Sequence, residues 1–200
     1  AGGGENVGAA IEVPVGKGCA IRPLPGGDSK ETCQGAIVEL PGITHIVLPG
    51  NPEYEVSSFE MDRDLIRSAE NWRHAPVLSE SPAVGCIWFY LKKDQLSMQP
   101  LVWVKETNSS CFETSCGSGA LALAIYLGAA CSQKSCGVAN DPVVEGVYSP
   151  PYASYTNFYR IMQPSGQPLW VSYSAAANAL PESAWLGGPC EIVARGEVNI

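Results

Sequence analysis

One short stretch of this chain gathers residue types able to move protons. Cys116-Gly117-Ser118-Gly119 runs straight into Ala120-Leu121-Ala122-Leu123-Ala124-Ile125-Tyr126-Leu127. That octet has no polar face, which marks a helix buried on all sides, and it puts Cys116 at the helix N-terminus. There the first backbone N–H groups lack partners within the helix and carry a partial positive charge. Glycine at 117 and 119 lets a ligand approach the backbone closely, so Gly117, Ser118 and Gly119 could hold an anion such as an α-carboxylate. The same field favours thiolate over thiol, so the expectation is a lowered pKa for Cys116 and a role as nucleophile or base. Two carboxylates precede it, Glu106 and Glu113. Each feature also has a plain reading. Buried free cysteines are common small hydrophobes, carboxylates are mostly solvated, and Gly-x-Gly alone is a weak signal. The conjunction with a wholly apolar helix favours chemistry at Cys116.

The elements that must position this stretch read as an α+β domain. The apolar helix has a plausible stop at Gly128. Short runs rich in Val, Ile, Trp and Tyr, separated by Pro and Gly, predict strands over Ala10–Val15, Gly35–Leu40, Thr44–Leu48, Ala83–Tyr90, Leu101–Glu106, Asn157–Gln163, Pro168–Ser174 and Cys190–Ala194. Pro164-Ser165-Gly166-Gln167 reads as a hairpin connection. A second helix starts at Ser57-Ser58-Phe59-Glu60, a capping-box pattern, and buries the face formed by Met61, Leu65, Ala69 and Trp72. The stretch Ala130–Pro151, mixed in Cys, Ser, Gly and Pro, reads as a long surface excursion. A strand-rich sheet wrapped around one central buried helix is the expected fold.

Composition narrows the function classes. The 200 residues carry a net charge of −8 and are 46% hydrophobic and 16% charged, so the chain is not disordered and buries a real core. An acidic balance argues against a nucleic-acid partner, which requires a basic face. No apolar run is long enough to span a membrane, and the first residues, AGGGENVGAA, lack the pattern of a signal peptide. A cytoplasmic location with reduced thiols is therefore expected. Among the 8 cysteines the spacings Cys111-x4-Cys116 and Cys131-x4-Cys136 are not zinc-ribbon spacings, and only His45 and His74 could add imidazole, so no metal is expected.

Glu113-Thr114-Ser115-Cys116-Gly117-Ser118-Gly119-Ala120 resembles the second catalytic motif of the diaminopimelate epimerase superfamily, the cofactor-independent amino-acid racemases and epimerases. Upstream, Leu40-Pro41-Gly42-Ile43-Thr44-His45-Ile46-Val47-Leu48 is similar to that family's Gly-x-x-His strand. Downstream, Ala184-Trp185-Leu186-Gly187-Gly188-Pro189-Cys190 and Arg195-Gly196-Glu197 resemble its C-terminal segments. The resemblance implies two similar lobes, each a sheet around a central helix, with the site between them. It also implies two cysteines, one removing the α-proton while the other returns a proton to the opposite face, without pyridoxal phosphate. Carried over, Cys116 is one acid/base cysteine, Glu106 the acid that partners it, and His45 the imidazole near the opposite cysteine. Glu113 and Thr107 join the three residues 117–119 in substrate binding. On its own terms, His45 is a lone histidine on an apolar strand, which reads as a hydrogen-bonded core residue.

Three departures qualify the resemblance. Thr107 stands where diaminopimelate epimerases have an arginine for the distal carboxylate, and Ile43 and Ala83 stand where they have asparagines. A site lacking those donors should not prefer a second amino-acid head group, so a different amino acid is expected. Histidine is a candidate, because histidine racemases of the superfamily carry similar Glu-x-Ser-Cys-Gly-Ser-Gly motifs. Finally, only one lobe is visible. Residues 10–200 read as the second, C-terminal catalytic lobe and residues 1–9 as a remnant of, or linker from, a first lobe. Val7 falls near where the first cysteine belongs, and Cys19 precedes a strand rather than a helix. A first lobe or second chain is then needed to complete the site, a homodimer is compatible with this, and the isolated chain is not expected to turn over. Proline racemase-like enzymes share a Cys-Gly-Thr-Gly loop but carry Asp and Arg where Glu113 and Thr114 stand. Two alternatives stay open: a thiol hydrolase or transferase using Cys116 with His45 as base, and a non-catalytic half-fold that binds carboxylates or a partner chain.

Overall fold

In a computed structural model of the chain, which describes residues 6–15, 20–24, 35–50, 63–92, 95–131, 157–175 and 180–191, the apolar runs build one mixed sheet. Its strands are β1 (Asn6–Pro14), β2 (Ala20–Pro23), β3 (Ala36–Leu40), β4 (Ile43–Pro49), β5 (Ala83–Lys92), β6 (Gln95–Val104), β7 (Ser109–Phe112), β8 (Asn157–Met162), β9 (Pro168–Tyr173) and β10 (Ser183–Glu191). Their order is β1-β10-β9-β8-β6-β5-β4-β3-β2, with β7 paired to β6. The β4–β5 and β6–β8 pairs are parallel, and the rest are antiparallel. Two α-helices, α1 (Arg63–Arg73) and α2 (Gly117–Cys131), complete an α+β, strand-dominated fold.

Period-two alternation sorts side chains between the sheet's two faces. Val38, Leu40, Val47, Ile87, Met98 and Val102 pack with α2. Their neighbours Ile37, Ile46, Cys86, Trp88 and Leu101 pack on the other side, with Leu65, Ala69 and Trp72 of α1. Every residue of 120–127 is buried, and α2 touches β3, β4, β5, β8, β9 and β10. The Pro164–Gln167 hairpin is as expected: the Gln163 N–H donates to the Gln167 carbonyl at 3.0 Å, and Gly166 adopts a φ of +78°.

Several expectations are corrected. Helix α2 does not stop at Gly128 but continues to Cys131. Gly128 instead makes room for Tyr173, because a Cβ there would overlap the phenol oxygen, which donates to the Ala124 carbonyl at 3.0 Å. The strand expected at Leu101–Glu106 starts six residues earlier, at Gln95, and ends at Val104, with residues 105–108 forming a turn. The short polar strand β7 carries no hydrophobic alternation and is a strand only through its pairing with β6. The last strand expected, Cys190–Ala194, overlaps the end of β10, which begins earlier and occupies Ser183–Glu191; residues 192–194 lie outside the described residues. The capping box at 57–60 and the stretch 132–151 lie outside the described residues.

Candidate active site

The loop that delivers Cys116 to the head of α2 is tied down on both sides. Behind it, the Glu113 N–H donates to the Pro100 carbonyl at 3.0 Å, and the Ser165 N–H of the β8–β9 hairpin donates to the Thr114 carbonyl at 2.9 Å. The Cys116 N–H donates to Gln163 Oε1 at 3.1 Å, and Gln163 Nε2 donates to the Ile161 carbonyl at 3.2 Å. Gln163 is buried and so fixes the start of α2 from across the sheet. Nothing in the sequence pointed to it beyond its place at the end of an expected strand, because the bond joins two segments 47 residues apart.

Cys116 itself is only 4% exposed, and its thiol is pushed up to about 12. Burial is the main cause; a hydrogen bond accepted by Glu113 from the S–H and that carboxylate's charge push the same way. The Gly119 N–H and the Ser118 hydroxyl pull the other way and are outweighed. The helix start therefore acts in the anticipated sense, but the expected lowered pKa is overturned, since removing a thiolate from water costs more than one turn of amides returns. Cys116 rests as a thiol with Glu113 at its proton. Substituting Glu113→Gln removes the charge, so the thiol pKa should fall and Cys116 should alkylate about tenfold faster at pH 8, as followed by peptide-resolved mass spectrometry.

The acid brought to the thiol is thus Glu113. Glu106 stands in the exposed turn at the far end of the β6–β7 hairpin, with the four-residue β7 between it and Glu113, a span of about 13 Å. Thr107 shares that turn, its hydroxyl 2.7 Å from that of Ser109. Neither is brought to the head of α2. Gly117, Ser118 and Gly119 form the helix's first turn. A Cβ at Gly119 would lie 2.7 Å from Ile87 Cδ1 and 3.1 Å from Cys116 Sγ, so this glycine allows the thiol its place against the helix.

His45 lies on the α2 side of β4, wholly buried at 0% exposure. Its Nε2 is 3.0 Å from Ser118 Oγ, and Ser118 Oγ is 3.7 Å from Cys116 Sγ. Its Nδ1 is buried with no hydrogen-bond partner. In register with it on β5 is Gly85, and the ring lies over this glycine, where a Cβ would sit 2.6 Å from Cε1. Burial lowers the imidazole from its ordinary 6.5 to about 3, so it is neutral. An unfolded chain takes up a proton here below pH 6.5 that the folded chain refuses until about pH 3. Stability should therefore fall as the pH drops through that window. The urea midpoint is expected to be lower at pH 5 than at pH 7, by less in a His45→Gln variant.

Ile43 and Ala83 open the paired strands β4 and β5 and are half-buried. Among the described residues, no group of three His, Cys, Asp or Glu could hold a metal, Cys86, Cys111 and Cys116 are free thiols, and no helix is long and apolar enough to cross a membrane.

The chain is an α+β protein whose buried helix opens on an acid–thiol pair. It belongs to the family of histidine racemase CntK N-terminal domains, which its residues 9–142 match. It is also similar to two proteins described as histidine racemases from Fusobacterium nucleatum subsp. nucleatum. The protein of strain ATCC 23726 is 31% identical over 169 residues, covering 82% of this chain and 48% of the relative. That of strain ATCC 25586 is 29% identical over 164 residues, covering 82% and 47%. The chain spans about half the length of these relatives. The family match is to an N-terminal domain, whereas the motif order in the sequence resembles a C-terminal lobe.

Proposed function

We propose that this chain supplies one acid/base half of an amino-acid racemase, with Cys116 exchanging the proton on one face of the substrate's α-carbon. The observation that carries this is the Cys116 thiol, 4% exposed at the head of a buried helix, with Ser118 Oγ 3.7 Å from its sulfur. The amides of Gly117 and Ser118 receive the substrate α-carboxylate, which lowers the cost of the carbanion formed when the α-proton leaves. A second thiolate, from another lobe or chain, takes that proton from one face. Cys116 then gives its Sγ–H to the other: the S–H bond breaks, a Cα–H bond forms with the carbanion's electron pair, and Cys116 is left as thiolate. In the reverse direction that thiolate is the base. No step calls on pyridoxal phosphate or a metal. Because Cys116 rests protonated, it is the donor of the pair until turnover reverses the roles.

Histidine is the first substrate to consider, since the two relatives are described as histidine racemases. Ile43 and Ala83, which open β4 and β5, offer no charged grip for a distal head group, which disfavours diaminopimelate. A sheet wrapped around the central helix draws support from α2, which touches both β3 and β10. At ordinary strand spacing those two strands would lie about 30 Å apart in a flat sheet, which favours a sheet curled around the helix. Working thiols call for a reducing compartment, so the cytoplasm is the proposed location. The thiol-hydrolase alternative finds no support in His45, which meets Ser118 rather than Sγ and, at a pKa of about 3, is a poor base.

The test is α-proton exchange in D2O, followed by NMR, with L-histidine, diaminopimelate and other L-amino acids in turn. Exchange with appearance of the D-isomer is expected once a second lobe or chain completes the site, and exchange without inversion would identify Cys116 as one working base of a pair. No exchange with any amino acid in the completed protein would overturn the proposal in favour of a non-catalytic half-fold.

A further inference from the structure

We propose that Ser118 is the hydroxyl through which the buried His45 acts on Cys116, in a directed chain from His45 Nε2–H to Ser118 Oγ and from Ser118 Oγ–H to Cys116 Sγ. His45 is a positioning residue in this arrangement. The geometry carries the argument. His45 is wholly buried at 0% exposure, and its Nε2 lies 3.0 Å from Ser118 Oγ. Ser118 is half-buried and reaches Sγ at 3.7 Å, within range of a bond to sulfur.

The direction of the chain follows from the unpartnered Nδ1. A neutral imidazole carries one N–H. Were that hydrogen on Nδ1, a donor would be stranded in the apolar core, which is rarer and costlier than a stranded acceptor. With the hydrogen on Nε2, the ring donates to Ser118 Oγ, and the serine's single hydrogen is free to point at the sulfur. Gly85 secures the ring's position, since only a residue without a Cβ leaves room for the imidazole over β5. Ser118 then donates to the sulfur across 3.7 Å, and the Gly119 N–H favours the thiolate in the same sense while Glu113 favours the thiol. These two donors stabilise the thiolate that Cys116 becomes after giving up its proton. The catalytic importance of the chain rests on the proposed racemase role of Cys116, but the chain of contacts does not.

The experiment therefore uses no substrate. Iodoacetamide labelling of the 200-residue chain is followed at fixed pH by peptide-resolved mass spectrometry, in wild type and in Ser118→Ala, His45→Gln and His45→Asn. The amide nitrogen of glutamine reaches the place of Nε2, whereas that of asparagine stops near Nδ1. Exposed Cys111 serves as a reagent control and buried Cys86 as a reporter of folding. Labelling of Cys116 is expected to slow about tenfold in Ser118→Ala and several-fold in His45→Asn, with His45→Gln within about twofold of wild type. Wild-type labelling in Ser118→Ala, or equal rates in the asparagine and glutamine variants, would overturn the chain. Where Cys86 becomes reactive in Ser118→Ala, Ser118→Thr decides in its place: it retains the hydroxyl and must label like wild type. These outcomes stand apart from the D2O experiment, whose failure would remove the racemase role and leave the chain of bonds intact.

Discussion

Replacing Cys116 with serine is expected to abolish α-proton exchange in the completed protein, by about 10³-fold or more, while leaving the chain folded. The hydroxyl fits the space of the thiol, and the groups around it can serve it as well: Glu113 accepts from it, and Ser118 and the Gly119 amide donate to it. Its proton, however, is held far more tightly than that of a thiol. A shorter side chain also withdraws the reacting atom from where the sulfur stood. The measurement pairs D2O exchange with a thermal melt on the same sample. Exchange at the wild-type rate would remove Cys116 from the chemistry, whereas loss of exchange together with loss of the melting transition would show only that the head of α2 had been disrupted.

Gly85→Ala is expected to cost about 2–3 kcal/mol of stability. A methyl group at this position overlaps the His45 ring, approaching Cε1 to 2.6 Å. The ring is fully buried, and β4 and β5 are held in register from Thr44–Val84 to Pro49–Phe89, so neither ring nor backbone has room to yield. Any adjustment would pull Nε2 from Ser118, and with it the donor to Cys116. Urea unfolding of Gly85→Ala, His45→Ala and the double variant measures the coupling. Removing the ring should relieve the clash, so the methyl group should cost little in the His45→Ala background. Equal costs in both backgrounds would mean that the ring does not lie over Gly85.

Much of this protein is legible in the order of its residues. The unbroken apolar run Ala120–Leu127 determines a buried helix, and the alternating runs determine β3, β4, β5, β8 and β9 close to their observed bounds, because period and burial face depend on neighbours within a few residues. The Cys-Gly-Ser-Gly motif likewise places a thiol at a helix start. Elements without their own pattern were hidden. Strand β7 is polar and exists through its pairing with β6, and Gly128 looks like a helix stop until Tyr173 is seen to require its missing Cβ.

The state of the site was decided only by tertiary structure. Sequence proximity to the helix start argues for a thiolate at Cys116, yet burial by strands far away in the chain reverses the sign and leaves a thiol. The resemblance makes Glu106 the acid partner of Cys116, but the β6–β7 hairpin leaves Glu106 in an exposed turn, and it is Glu113 whose charge acts on the thiol. His45 meets Ser118 across 73 residues and Gln163 meets the Cys116 amide across 47. Local composition determines which elements form and which groups they present. Which proton each group holds depends on desolvation and on hydrogen bonds between distant segments, and those exist only once the chain has folded.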